Sequence, residues 1–387
     1  MPSSLDALLA FLLAGVVALL GVPLTDRLAR RIGAIDLPNE RSLHEAPTPK
    51  LGGLAILAAV LAAGLVWLPW DAETRSILAG AVLIAVVGLL DDVYELGAAP
   101  KLLGQTAAVI VPVSAGVTVE SFTFPFLGAL DPASVDLIGL PWGGAVDLGD
   151  LGTVIGIVAV INVINLIDGV DGLAAGVCLI SGLALAAIAL SLDRNAAGVL
   201  AALTAGASLG FLRHGFPPAT TFMGDTGSNL LGFLLGVVAV QGALKTNAVI
   251  ALFLPLIVLA VPILDTGFVV AKRVKYGRPI YRADRWHFHH RMANIGFSQR
   301  RIIAYLYAWT LVMAGLALAL RFVPYSDDHG HFDALWTAVI AFCGLLALAS
   351  SVYLIYVLEI LKLRRGRLNP ETGEFEAIEL GDPSLGG

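Results

Sequence analysis

Residues 150–191 read DLGTVIGIVAVINVINLIDGVDGLAAGVCLISGLALAAIALS. Two apolar runs, 150–167 and 173–191, flank the polar joint Asp168-Gly169-Val170-Asp171-Gly172. Each run is long enough to cross a hydrocarbon core of roughly 30 Å as a helix. The rest of the chain repeats the pattern. Mean hydropathy is +0.84, with 57% hydrophobic and only 14% charged residues in 387. A soluble protein of that size needs more charge to cover its surface. The composition defines an integral membrane protein.

Apolar spans are predicted near 5–25, 52–70, 76–90, 102–118, 150–167, 173–191, 197–212, 229–245, 248–271, 302–322 and 334–361. The first run has no basic residues before it, and Arg27, Arg30 and Arg31 follow it. That pattern suits an uncleaved first span with its N-terminus outside. Eleven crossings then leave 26–51, 91–101, 213–228, 272–301 and the tail from 362 in the cytoplasm. These segments hold 20 of the 24 lysines and arginines, as the positive-inside rule requires. The expected fold is an all-α polytopic membrane protein of about eleven transmembrane helices, its C-terminus cytoplasmic. Residues 119–149 read as a short external β-hairpin, because Val119 to Phe124 alternates and Pro141, Gly143 and Gly144 mark turns. One domain is expected over 1–367, followed by a loose polar tail over 368–387. Cys178 and Cys343 both lie in apolar spans and supply neither a disulfide framework nor a thiol metal site.

Polar clusters gather at the predicted cytoplasmic mouths. Asp91-Asp92 end the third span, where a solvated helix end is the bland reading. A cation between the two carboxylates would relieve their repulsion. Asn162, Asn165 and Asp168 fall at i, i+3 and i+6, so a continuing helix would align them on one stripe, with Asp171 following. Oxygen ligands of this kind suit Mg²⁺, although a plain polar turn is the alternative. Asp225, in Gly224-Asp225-Thr226-Gly227-Ser228, could be a helix N-cap, and so could Ser228; helix N-termini also attract phosphate. His287, His289 and His290 sit among Arg278, Arg282, Arg285 and Arg291, which favours an anion site over a zinc site. Asp265, buried inside the ninth span, needs a partner that the sequence does not name.

Together these motifs resemble the polyprenyl-phosphate N-acetylhexosamine-1-phosphate transferase superfamily from about residue 25 to 301. The resemblance rests on Arg41-x-x-His44, Pro47, Gly52-Gly53, Asp91-Asp92-x-x-Glu95-Leu96, the Asn162 to Gly172 run, Phe222 to Ser228, and His287-x-His289-His290-Arg291. It implies Mg²⁺ (or Mn²⁺) at Asn165 and Asp225, and a catalytic group of Asp91, Asp92 and Lys101. Substrate contacts would come from Asn162, Asp168, Asp171, His287, His289, His290 and Arg291. Lys50, which topology alone would explain, is grouped with them. The interrupted histidine run, with Phe288 inside it and Arg291 after it, looks like the GlcNAc-1-phosphate branch. The implied reaction moves GlcNAc-1-phosphate from UDP-GlcNAc to a polyprenyl phosphate at the cytoplasmic face of a bacterial inner membrane, releasing UMP. A homodimer is compatible with this reading and no nucleic-acid partner is expected. The alternatives are a phospho-MurNAc-pentapeptide transferase and, from another class, a secondary transporter. A transporter would place its acids near the midplane instead of at one rim.

Overall fold

The computed structural model describes residues 3–37, 47–119, 122–124, 128–130, 132–139, 145–244, 249–275, 287–294, 296–325, 333–363, 366–368 and 375–377. Its helices are α1 (Ser4–Ile32), α2 (Gly52–Trp67), α3 (Ala72–Tyr94), α4 (Ala98–Val113), α5 (Leu148–Ile167), α6 (Leu173–Ser191) and α7 (Asn195–Gly215), followed by α8 (Gly224–Ala239), α9 (Val249–Val258), α10 (Ala260–Lys275), α11 (Phe288–Asn294), α12 (Gln299–Phe322) and α13 (Ala334–Leu363). Among the described residues, seven helices are long and apolar enough to cross a membrane: α1, α3, α5, α6, α7, α12 and α13; α2 and α4 are shorter and apolar. The protein is an all-α membrane protein.

Small residues let the helices meet closely. Ala10, Ala14 and Ala18 of α1 are fully buried. A Cβ on Gly206 of α7 would lie 2.1 Å from the Phe11 carbonyl oxygen, and one on Gly210 would lie 2.1 Å from that of Gly15. Such backbone approach supplies the dispersion contact that replaces the hydrophobic drive between helices in lipid. The same device surrounds α8, which is buried on every side from Thr226 to Ala239. Gly80 and Gly88 of α3 admit it on one flank, and its own Gly232 and Gly236 approach Ile161 and Ile157 of α5 on another.

Two predicted spans take a different form. The eighth begins five residues early, at Gly224, and its α-helix gives way to one π turn over Val240–Leu244. The ninth is interrupted at Leu259, between α9 and α10. Pro262 stands three residues past that break and has no N–H to continue the ladder.

Short strands complete the chain. Ile35–Asp36 (β1) pairs antiparallel with Thr48–Pro49 (β2). Phe222 N–H donates to the Pro49 carbonyl at 2.8 Å, and Gly52 and Gly53 donate to Phe222 and Met223 at 3.0 and 2.9 Å. This lacing sets Lys50 beside the start of α8. Between α4 and α5, Phe122–Phe124 (β3) pairs with Gly128–Leu130 (β4), and Asp136–Gly139 (β5) with Ala145–Asp147 (β6). Near the C-terminus Gly366–Leu368 (β7) pairs with Phe375–Ala377 (β8).

Gly210→Val should push α1 off α7 and destabilise the protein by about 1–3 kcal/mol, the usual cost of overpacking. Size-exclusion of the detergent-solubilised protein after a heating series would read this as a lower midpoint. Gly267→Ala, at a position with open space around the new methyl, should leave the midpoint unchanged or slightly raised.

Candidate active site

Adjacent residues on an α-helix point about 100° apart, so Asp91 and Asp92 at the end of α3 serve different neighbours. Asp92 is buried and turns toward α8. Its Oδ1 accepts the Asp225 N–H at 2.9 Å; its Oδ2 accepts the Thr226 N–H at 3.0 Å and the Thr226 hydroxyl at 2.7 Å. The cap of α8 therefore comes from α3, and neither Asp225 nor Ser228 provides it. The first N–H groups of a helix have no partner within it, and where they are buried another part of the protein must accept them. Gly224 makes room for the arrangement: its φ is +66°, and a Cβ there would lie 2.5 Å from both Asp92 Oδ2 and the Lys50 carbonyl oxygen.

Asp91 faces the other way. Its Oδ2 is 2.8 Å from Lys101 Nζ, and its Oδ1 accepts the Leu96 N–H at 2.7 Å. Lys101, in the first turn of α4, also pairs with Asp225 Oδ2 and donates to Asn165 Oδ1 at 3.1 Å. Asn165 closes the ring, donating to Asp225 Oδ1 at 2.7 Å and to Ser228 Oγ at 2.9 Å. The cation stands between Asp91 and Asp225 and does not bridge Asp91 and Asp92 as expected. Four helix ends, α3, α4, α5 and α8, thus meet in one hydrogen-bonded cluster.

The cluster opens on a cavity of about 320 Å³ lined by Lys50, Asp92, Asn165, Asp168, Asp171 and Asp225 among others. Asp168 caps α5 beyond its last helical residue, Ile167, so the predicted stripe breaks there. Burial, together with the Asp225, Asp92 and Asp171 carboxylates, pushes its carboxyl well above the usual range. Asp171 accepts the Ala219 N–H at 3.0 Å and ties the 168–172 turn to the segment before α8. Tyr307 of α12 pins the same turn, donating its hydroxyl to the Gly172 carbonyl at 2.6 Å.

Asn162 does not line this cavity. It lies one turn deeper, donating to Gln105 Oε1 and to the Val158 carbonyl, each at 2.8 Å. Gln105 in turn faces Asn229 Oδ1 at 3.4 Å, and both residues are fully buried. A layer of three amides thus underlies the charged cluster on the same helices. Gln105 follows Lys101 by four residues and Asn229 follows Asp225 by four, a helical spacing that marks both in retrospect.

The histidine segment approaches from a different side. A Cβ on Gly169, which lines the cavity, would lie 2.5 Å from His289 Nε2. His287 stacks on His289 with ring centroids 5.7 Å apart. Asp265 finds its partner here: its Oδ2 is 3.0 Å from His287 Nδ1. Phe288 packs between Phe268 and Trp309, each at 5.7 Å, and the Arg291 guanidinium lies 4.8 Å from the Phe268 ring. The side chain of His290 lies outside the described residues, as do Arg41, His44, Arg278, Arg282 and Arg285.

Fold and site together define a polytopic helical membrane protein whose helix ends build an acidic, lysine-bearing cavity. Residues 74–243 match glycosyl transferase family 4. The chain is 37% identical over 318 residues to the Bacillus subtilis (strain 168) protein named probable undecaprenyl-phosphate N-acetylglucosaminyl 1-phosphate transferase, covering 81% of this chain and 84% of that one. It is 34% identical over 331 residues to the decaprenyl-phosphate N-acetylglucosaminephosphotransferase of Mycobacterium tuberculosis (strain ATCC 25618 / H37Rv), covering 77% and 78%. A phospho-N-acetylmuramoyl-pentapeptide-transferase of Desulforudis audaxviator (strain MP104C) is 35% identical over 358 residues, covering 82% and 98%. The chain belongs to glycosyl transferase family 4.

Removing the interhelix cap should show in the substrate-free protein. Asp92→Ala is expected to lower stability by roughly 1–2 kcal/mol, as loss of a helix cap does, with a smaller effect from Asp91→Ala. Melting midpoints of the purified variants check this, and equal losses would deny Asp92 the capping role.

Proposed function

We propose that the protein transfers GlcNAc-1-phosphate from UDP-GlcNAc to a polyprenyl phosphate at the cytoplasmic face of a bacterial inner membrane. The observation that carries this reading is the ring of Asp91, Lys101, Asn165 and Asp225 at the mouth of the cavity. The names borne by its relatives point the same way. Eleven crossings with the N-terminus outside would bring all of these helix ends to the cytoplasmic surface, where a lipid-bound phosphate and a soluble nucleotide sugar can meet.

In the reaction, an oxygen of the lipid phosphate attacks the sugar-bearing phosphorus of UDP-GlcNAc. The bond from that phosphorus to the bridging oxygen breaks, and UMP leaves with the oxygen. Both reactants are anions, so neutralisation and alignment matter most. Lys101 places a positive charge where two phosphates converge. Asp91, held by Lys101 and by the Leu96 N–H, would accept the residual proton of the lipid phosphate, most of which is already dianionic near neutral pH. Direct attack then needs no aspartyl-phosphate intermediate. Asp168 and Asp171 would face the donor from the cavity wall, with His289 behind Gly169 on the same wall.

The residues fit a divalent cation of the Mg²⁺ or Mn²⁺ kind. Among the described residues no three His, Cys, Asp or Glu side chains form a cage for a metal. Magnesium instead prefers one or two carboxylates completed by water and substrate phosphates. Asp225 and the Asn165 amide oxygen, which Lys101 now engages, would offer such an incomplete oxygen set once Lys101 turns to substrate phosphate. When bound there, the ion would offset charge on the transferring phosphate.

Purified protein given polyprenyl phosphate, Mg²⁺ and one donor at a time should release UMP from UDP-GlcNAc, with little from UDP-GalNAc or UDP-MurNAc-pentapeptide. Preference for the pentapeptide donor would move the protein to the muramoyl branch. Asp225→Asn should cost about 100-fold or more in kcat, and wild-type turnover by this variant without added metal would remove the metal from the scheme.

A further inference from the structure

Asp265 is a carboxylate in α10, inside the predicted ninth span, and is only 4% exposed. It is too deep to be a topological accident, and it touches neither the cavity nor the Lys101 cluster. Both of its oxygens are engaged. Oδ2 meets His287 Nδ1 at 3.0 Å, and Oδ1 accepts the Phe288 N–H at 2.7 Å, the first N–H of α11. An ionised carboxylate only accepts hydrogen bonds, so the Nδ1 facing it must carry the proton. That sets the tautomer of His287 and fixes the plane of its ring, against which His289 stacks with 10° between planes. His289 in turn stands on Gly169, which lines the cavity. Both rings are buried, His287 at 5% and His289 at 2% exposed, and neither lines the cavity; His289 reaches it only through Gly169.

We propose that Asp265 and His287 form a buried positioning pair, in which His287 seats His289 behind Gly169 and so sets the shape of the cavity wall that the donor meets, without being itself a phosphate contact. The pair divides the labour of the histidine segment. The carboxylate anchors the segment to the helical bundle at two atoms, His287 transmits that anchor through its ring, and His289 backs the cavity wall at Gly169. This rests on the proposed function in taking the donor as what that wall meets.

Asp265→Asn is the discriminating variant. Its amide oxygen can keep the Phe288 N–H, which leaves its N–H₂ facing Nδ1 and forces the His287 proton to Nε2. The cap survives and the tautomer inverts. The Asp265→Asn enzyme should raise the KM for UDP-GlcNAc about tenfold, the size of one charge-assisted hydrogen bond, with kcat reduced less than about threefold and the polyprenyl phosphate KM unchanged. His287→Ala should do the same. The double variant should be no worse than either single change within about twofold, because paired residues fail together. Additive losses, an unchanged donor KM, or parallel loss of kcat, both KM values and melting midpoint would overturn the proposal. ¹⁵N NMR of the histidine-labelled protein reads the pair without turnover: Nδ1 protonated in the wild type and Nε2 protonated in Asp265→Asn. Identical tautomers in the two proteins would sink the pair. A wild-type enzyme that releases no UMP from UDP-GlcNAc would sink the donor assignment and leave the tautomer result to decide the pair.

Discussion

The site depends on one contact between helices: the Asp92 carboxylate of α3 closing the N-terminus of α8. α8 is buried on every side from Thr226 onward, and its first turn meets the cavity edge at Gly224 and Asp225. Left without that cap, the helix end would lose about 1–2 kcal/mol. A carboxylate from a neighbouring helix removes that cost at two N–H groups at once. It also fixes where Asp225, the second residue of α8, must lie. Gly88 and Gly224 are the steric conditions for the contact, since a side chain at either would strike the first turn of α8 or the carboxylate itself.

With Asp225 seated, the remaining contacts follow from geometry. Lys101 can reach Asp91 and Asp225 together only because α3 and α8 are locked at that point. Asn165 spans from Asp225 to Ser228 and brings in the end of α5. The 168–172 turn is held from two further directions, by Asp171 to Ala219 and by Tyr307 to Gly172. Such redundancy suits phosphoryl chemistry, in which a protein contributes placed charge more than covalent assistance.

Much of this was legible in the sequence because a bilayer imposes coarse, one-dimensional rules. Apolar runs had to be long, and the acids stood out at their ends. Every predicted span has a helical counterpart, though α8 is displaced and the ninth is divided at Leu259. What stayed hidden depended on contacts between distant residues. Nothing local distinguishes Asp91 from Asp92, whose roles diverge only because α8 lies on one side and α4 on the other. Asn162 shares its motif with Asn165, yet it serves Gln105, because α5 turns it inward one turn deeper. Asp168 leaves the expected stripe because α5 ends at Ile167. The deep Asp265 was visible as an anomaly. Its partner was not, since 22 positions separate the two residues in the chain.

The amide layer of Gln105, Asn162 and Asn229 has a consequence for the site as a whole. Amides exchange hydrogen bonds without carrying net charge, so the polar interior ends there in neutral groups. Beyond them the packing passes to Val109, Ile161 and Phe233, all fully buried. Charged groups around the cavity are thus backed first by neutral amides and then by apolar packing. The helices α4, α5 and α8 thereby pass from charge at one end, through neutral dipoles, to hydrocarbon, so the polarity of the site fades over two helical turns.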